Sequence, residues 1–154
     1  LVNTLKQRIS DEMKAALLGG DRFRGDLLRN LKAAILNEEV AKQKREEGLN
    51  DAEVETVLTR EAKKRTESAT LYRQNDRAEL AETEERELEI IQEFLPEQMS
   101  QDDVQAVVDA KIAELGASDV KAMGQVIGAV KQQVGNTADG AMVARLVKET
   151  LENK

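Results

Sequence analysis

Apolar residues recur at intervals of three and four along almost the whole chain, and a single proline, Pro96, interrupts them. That spacing puts side chains on one face of an α-helix, whereas a half-buried strand needs alternation. Leu5, Ile9, Met13 and Leu17 predict a first helix, closed by Gly19 and Gly20. Phe23, Leu27, Leu28, Leu31, Ile35 and Val40 predict a second that runs to near Gly48. Asn50, with Glu53 three residues on, forms a capping-box pattern before a third helix carrying Val54, Leu58, Ala62, Ala69 and Tyr72. Asp76 and Glu79 repeat the signal before a fourth, with Leu80, Leu88, Ile91 and Leu95, which Pro96 stops. Ser100 opens a fifth, with Val104, Val108, Ile112 and Leu115, ended by Gly116. Ser118 or Asp119 opens a sixth, with Val120, Met123, Ile127, Val130 and Val134, and Gly135 is placed to be its C-terminal glycine. Asp139 opens a seventh, with Val143, Leu146, Val147 and Leu151.

The pattern implies an all-α protein in two parts. An N-terminal bundle of long helices occupies 1–95, and a C-terminal three-helix domain occupies 96–154. Composition agrees, because aromatic residues, which favour sheets, make up only 2% of the chain.

The chemistry the chain lacks narrows its function. It has no cysteine and no histidine, so thiol nucleophiles, disulfides, Cys/His zinc sites and histidine acid–base catalysis are excluded. No leader and no membrane-spanning run are evident, and absent cysteine suits a reducing cytoplasm, so a cytoplasmic location without a membrane partner is expected. The formal charge of −7 excludes a generally basic nucleic-acid binder. One window runs the other way: between Lys121 and Lys148 four basic residues (Lys121, Lys131, Arg145, Lys148) face only Asp139.

That window contains "KAMGQVIGAVKQQVGNTADG", with four of the nine glycines. Gly124 and Gly128 lie inside the sixth helix, where each costs about 1 kcal/mol relative to alanine. A P-loop or dinucleotide fingerprint needs a preceding strand, which is missing. A membrane Gly-x-x-x-Gly dimer needs an apolar segment, and this one holds Lys121, Gln125, Lys131, Gln132 and Gln133. Two readings remain. The glycines let another helix pack closely, with Gly135 ending the helix; or they leave a bare face that RNA can approach, with Lys121, Gln125, Lys131, Asn136, Thr137 and Arg145 as contacts.

The segments "MGQVIGAV" and "ADGAMVARLVKETL" resemble the signature of the GatB/YqeY family. "LRNLKAAILNEEV" and "KKRTESATLYRQNDRAELAETEERELEIIQEFLPEQMS" extend the resemblance to nearly the entire chain, in the order of a free-standing YqeY-like protein. The family pattern carries an Asp before its Met-Gly pair and a Met after the valine, where this chain has Ala122 and Ile127. The resemblance implies a two-part helical fold and relates 96–154 to the tail of the B subunit of the tRNA-dependent amidotransferase. That tail contacts tRNA, and the family label is carbon–nitrogen ligase with glutamine as amido-N-donor. Implied partners are tRNA, an aminoacyl-tRNA synthetase or amidotransferase subunits. The catalytic parts of such an enzyme are not recognisable here. No amidase-type serine and lysine segment, thiol glutaminase or metal–ATP cradle is visible, so no catalytic residue, metal or cofactor is assigned.

Charges on the N-terminal helices invite other readings. Arg65 and Glu84 fall on apolar seams of the third and fourth helices and predict a structural ion pair across them. "REAKKR", Arg60–Arg65, is an alternative basic cluster, and "ETEERELE", Glu82–Glu89, reads as a solvated acidic face that would repel nucleic acid.

Overall fold

A computed structural model describes residues 4–154, and all the regular structure in them is helical. Seven α-helices run in order: α1 (Leu5–Leu18), α2 (Arg22–Ala41), α3 (Asp51–Gln74), α4 (Ala78–Gln92), α5 (Gln101–Leu115), α6 (Met123–Val134) and α7 (Gly140–Glu152). Short 3-10 turns, Val120–Ala122 and Gly135–Thr137, flank α6. The chain divides into two compact units, one ending at Leu95 and one running Pro96–Lys154.

Side-chain caps fix most of the helix starts. Thr4, Asp21 and Ser100 each accept from the backbone N–H three residues on, and Asn50 and Glu53 complete the capping box reciprocally. The start of α4 departs from the sequence expectation. Arg77, not Asp76, holds the cap position and makes no side-chain cap bond, while Asp76 takes a left-handed conformation at φ 56°. Before α6, Asp119 caps the 3-10 turn rather than the α-helix, which begins one turn later.

In the first unit, Ile9, Leu27, Leu28, Leu31, Ile35, Val54, Leu58, Ile91 and Phe94 form one buried cluster. The second helix ends earlier than its sequence suggests, at Ala41, and Val40 is 55% exposed. The buried stripe Leu28, Leu31, Ile35 continues four residues on to Glu39, whereas Val40 is turned off the stripe into solvent. Leu80 is likewise exposed, with Ala81 buried beside it, and so are Leu115 and Val120 in the second unit. Val120 lies in the 3-10 turn, where the α-helical period that placed it on the core stripe does not apply.

Glu39 is 1% exposed and supports the loop after α2. Its Oε2 accepts from Lys6 Nζ at 2.6 Å and from the Leu49 N–H at 3.0 Å, tying α1, α2 and the residues before α3 together. Burial pushes this carboxyl up, but the Lys6 ammonium and the Leu49 N–H outweigh burial and hold it below the usual carboxylate range. At the other end of the cluster Arg24 bonds Glu12 at 2.7 Å and Glu93 at 2.8 Å, while Arg8 lies 4.5 Å above the Phe94 ring.

In the outer part of the α3–α4 pair the buried residues are the small Ala69 and Ala81, and charge pairs bridge the two helices. Arg73 grips Glu85 with two bonds of 2.7 Å. Arg65 bonds Glu61 at 2.8 Å and reaches α4 at Glu87, 3.7 Å away. The expected cross-helix pair of Arg65 with Glu84 is thus replaced by Arg65 with Glu87, one turn further along α4. Burial pushes the Glu87 carboxyl up, Arg65 draws it back, and the like charge of Glu84 helps leave it above its ordinary value.

Lys6→Met leaves the Glu39 carboxylate buried with one donor fewer, and is expected to lower stability by about 2 kcal/mol at neutral pH. Because the folded-state value of Glu39 is depressed, its contribution is complete above the ordinary carboxylate value of about 4.3 and fades as pH falls through the lower folded value. Urea unfolding should therefore show a large deficit for the variant at pH 7 that shrinks below about pH 4.

Candidate functional site

The second unit is built around valines. Val104, Val108 and Ile112 from α5, Val126, Val130 and Val134 from α6, and Val143, Leu146, Val147 and Leu151 from α7 form one buried cluster. Residues 126, 130 and 134 are one helical row, so α6 spends a single face on the core. Met123 and Ile127 widen that face and are partly buried.

The opposite face of α6 contains the glycines. Gly124 and Gly128 are both exposed, and a Cβ built on either meets nothing within 4 Å. Within the second unit no helix packs against them. The two glycines leave a strip of α6 backbone without side chains over it. Lys121, Gln125, Lys131 and Gln132 are exposed around it. Gly135 takes φ 55° and ψ −132°, a conformation essentially reserved for glycine, and ends α6.

Lys131 leans from this face towards the next helix. A Cβ on Gly140, the first residue of α7, would lie 3.4 Å from Lys131 Cε and 3.5 Å from its Nζ. An ammonium thus stands at a helix N-terminus, where the backbone already presents positive charge. Asp139 partly offsets this by accepting from the Ala141 N–H at 3.2 Å.

The other expected contacts are more engaged. The Thr137 hydroxyl donates to the Val134 carbonyl at 2.5 Å, and the Thr137 carbonyl accepts from the Met99 N–H at 2.7 Å. The Asn136 carbonyl accepts from Gln98 Nε2 at 2.9 Å. Asn136 and Thr137 thus tie the segment entering α5 to the turn after α6, a role the sequence pattern gave no sign of. Arg145 bonds Gln101 at the start of α5 at 3.1 Å and Glu149 at 3.6 Å. Lys121, Gln125 and Lys131 are the three of the six that are exposed and make no side-chain hydrogen bond or ion pair among the described residues.

The alternative basic cluster on α3 is largely neutralised. Arg60 reaches Glu38 at 3.1 Å, and Lys64 and Arg65 both pair with Glu61 at 2.8 Å. Among the described residues, no group of three or more His, Cys, Asp or Glu could hold a metal ion, and no helix is long and apolar enough to cross a membrane.

A family model described as Yqey-like protein matches residues 6–151. A comparison with curated proteins finds no match.

Because nothing packs on Gly124 or Gly128, alanine at either should stabilise the helix, by up to about 1 kcal/mol each. Gly135→Ala should instead cost about 1–3 kcal/mol through backbone strain. Denaturant unfolding of the three single variants measures both signs.

Proposed function

The chain belongs to the YqeY-like protein family, the GatB C-terminal-like family, and from that premise we propose that it is a non-catalytic RNA-binding accessory whose α6 face meets tRNA. The observation that carries this reading is the exposed pair Gly124 and Gly128, with nothing packed over them. Two glycines inside a helix cost stability, and no packing gain offsets that cost. What they do provide is a strip of backbone without side chains, to which a sugar–phosphate chain can come close. Lys121 and Lys131 supply charge beside it, and Gln125 supplies a donor and an acceptor.

Charge arrangement supports the same face. The whole chain is acidic, so non-specific attraction of RNA to most of its surface is weak. The Lys121 and Lys131 ammoniums form no ion pair within 4 Å among the described residues, although the Lys121 N–H donates to Asp119 at 2.9 Å; Arg60, Lys64 and Arg65 are all paired. An ammonium without an ion-pair partner can neutralise a phosphate, and so release its counterion, without first breaking an ion pair.

The test is equilibrium binding of the intact chain to total tRNA across a salt series. The double variant Lys121→Glu with Lys131→Glu is expected to weaken binding about tenfold at low salt and to reduce the salt slope by about 2. Lys14→Glu on α1, the same substitution with half the charge change of the double variant, is expected to leave both nearly unchanged. Undiminished affinity in the double variant would remove α6 as the interface.

A further inference from the structure

In the first unit, α1 and α2 border a small cavity of about 240 Å³, lined by Lys6, Lys32, Ala33, Ile35, Leu36 and Glu39. Its wall is mostly apolar. Ile35 is 1% exposed and forms part of the floor, while Leu36 is 43% exposed. Leucine half in water beside a hollow is surface that a ligand could cover with a gain.

The polar groups are unevenly matched. Lys6 is paired with the buried Glu39 at 2.6 Å, so those two charges cancel. Lys32 Nζ donates to the neutral Ser10 hydroxyl at 3.1 Å, and no carboxylate lies within 4 Å of it among the described residues. The cavity thus has one uncompensated positive charge at its edge and an aliphatic wall beside it.

That combination selects a ligand class. A cation is repelled by the unpaired Lys32 ammonium. Inorganic phosphate would press a hydrated dianion against Ala33, Ile35 and Leu36 without hydrogen bonds in return. A neutral apolar molecule leaves Lys32 as it is. A single carboxylate on a short apolar body matches both features. The volume lies below the roughly 300–1,000 Å³ usual for ligand pockets, so the body must be small. We propose that this cavity binds a small amphipathic monocarboxylate, its carboxylate on Lys32 and its apolar body against Ala33, Ile35 and Leu36. The ligand can be a free acid or the C-terminal residue of a peptide, which share this chemistry.

Titration of the intact ¹⁵N-labelled chain tests it. Hexanoate represents a free acid, N-acetyl-leucine a peptide terminus, and 1-hexanol the apolar body without charge. Either acid should move the Lys32, Ala33 and Leu36 amides saturably, with Kd on the order of 1 mM. Whichever acid binds more tightly identifies the source. Lys32→Gln, checked as folded by circular dichroism, should weaken the acids about fivefold and leave hexanol unchanged. Absence of saturable shifts at these amides, or equal affinity for hexanoate and hexanol, would overturn the proposal.

Discussion

The row Val126, Val130 and Val134 is the constraint on which the second unit depends. These three side chains are 0%, 0% and 5% exposed, and they meet the apolar rows of α5 and α7. Full burial of an aliphatic side chain is worth about 1.5–3 kcal/mol, so this row outweighs the helical cost of Gly124 and Gly128. The same row fixes the rotation of α6. Once it faces inward, the glycines face solvent, and Lys131 is exposed with them. The bare face thus follows from where the valines are.

The first unit solves its packing differently. Its apolar cluster is concentrated at one end of the α3–α4 pair, and the remainder is held by Arg65 with Glu61 and Glu87 and by Arg73 with Glu85. Such pairs add little stability where they are exposed, but they fix which turn of α4 faces which turn of α3. Glu39 is the extreme case, a carboxylate inside an aliphatic cluster that is tolerated because Lys6 and the Leu49 N–H both reach it.

Much of this was legible in the sequence because apolar spacing and caps report directly on helices. The caps Asn50, Ser100 and Asp139, the terminating glycines Gly116 and Gly135, and the core of α7 are where the pattern puts them. The failures have physical reasons. Val40 is apolar, and Glu39 is not, so hydrophobicity alone chose the wrong residue at the end of α2. Spacing was the better guide, because Glu39 is four residues beyond Ile35. Arg65 pairs with Glu87 because its reach along α4 depends on a register that separate helical patterns do not contain.

The candidate site was legible only in part. A glycine pair in a helix is the same string of letters whether a neighbour or solvent lies beyond it, and only the rotation of α6 decides. The tethering of Thr137 and Asn136 to Gln98 and Met99 depends on contacts 38 residues apart in sequence. No local motif announces such contacts.

The most direct measurement of the central claim is an NMR titration of the intact labelled chain with tRNA, read at the amides of Gly124 and Gly128. The account predicts that these two signals and those of Lys121, Gln125 and Lys131 respond together at low salt and return towards their free positions as salt is raised. Saturable changes confined to α1–α4, with the α6 glycines silent, would contradict it.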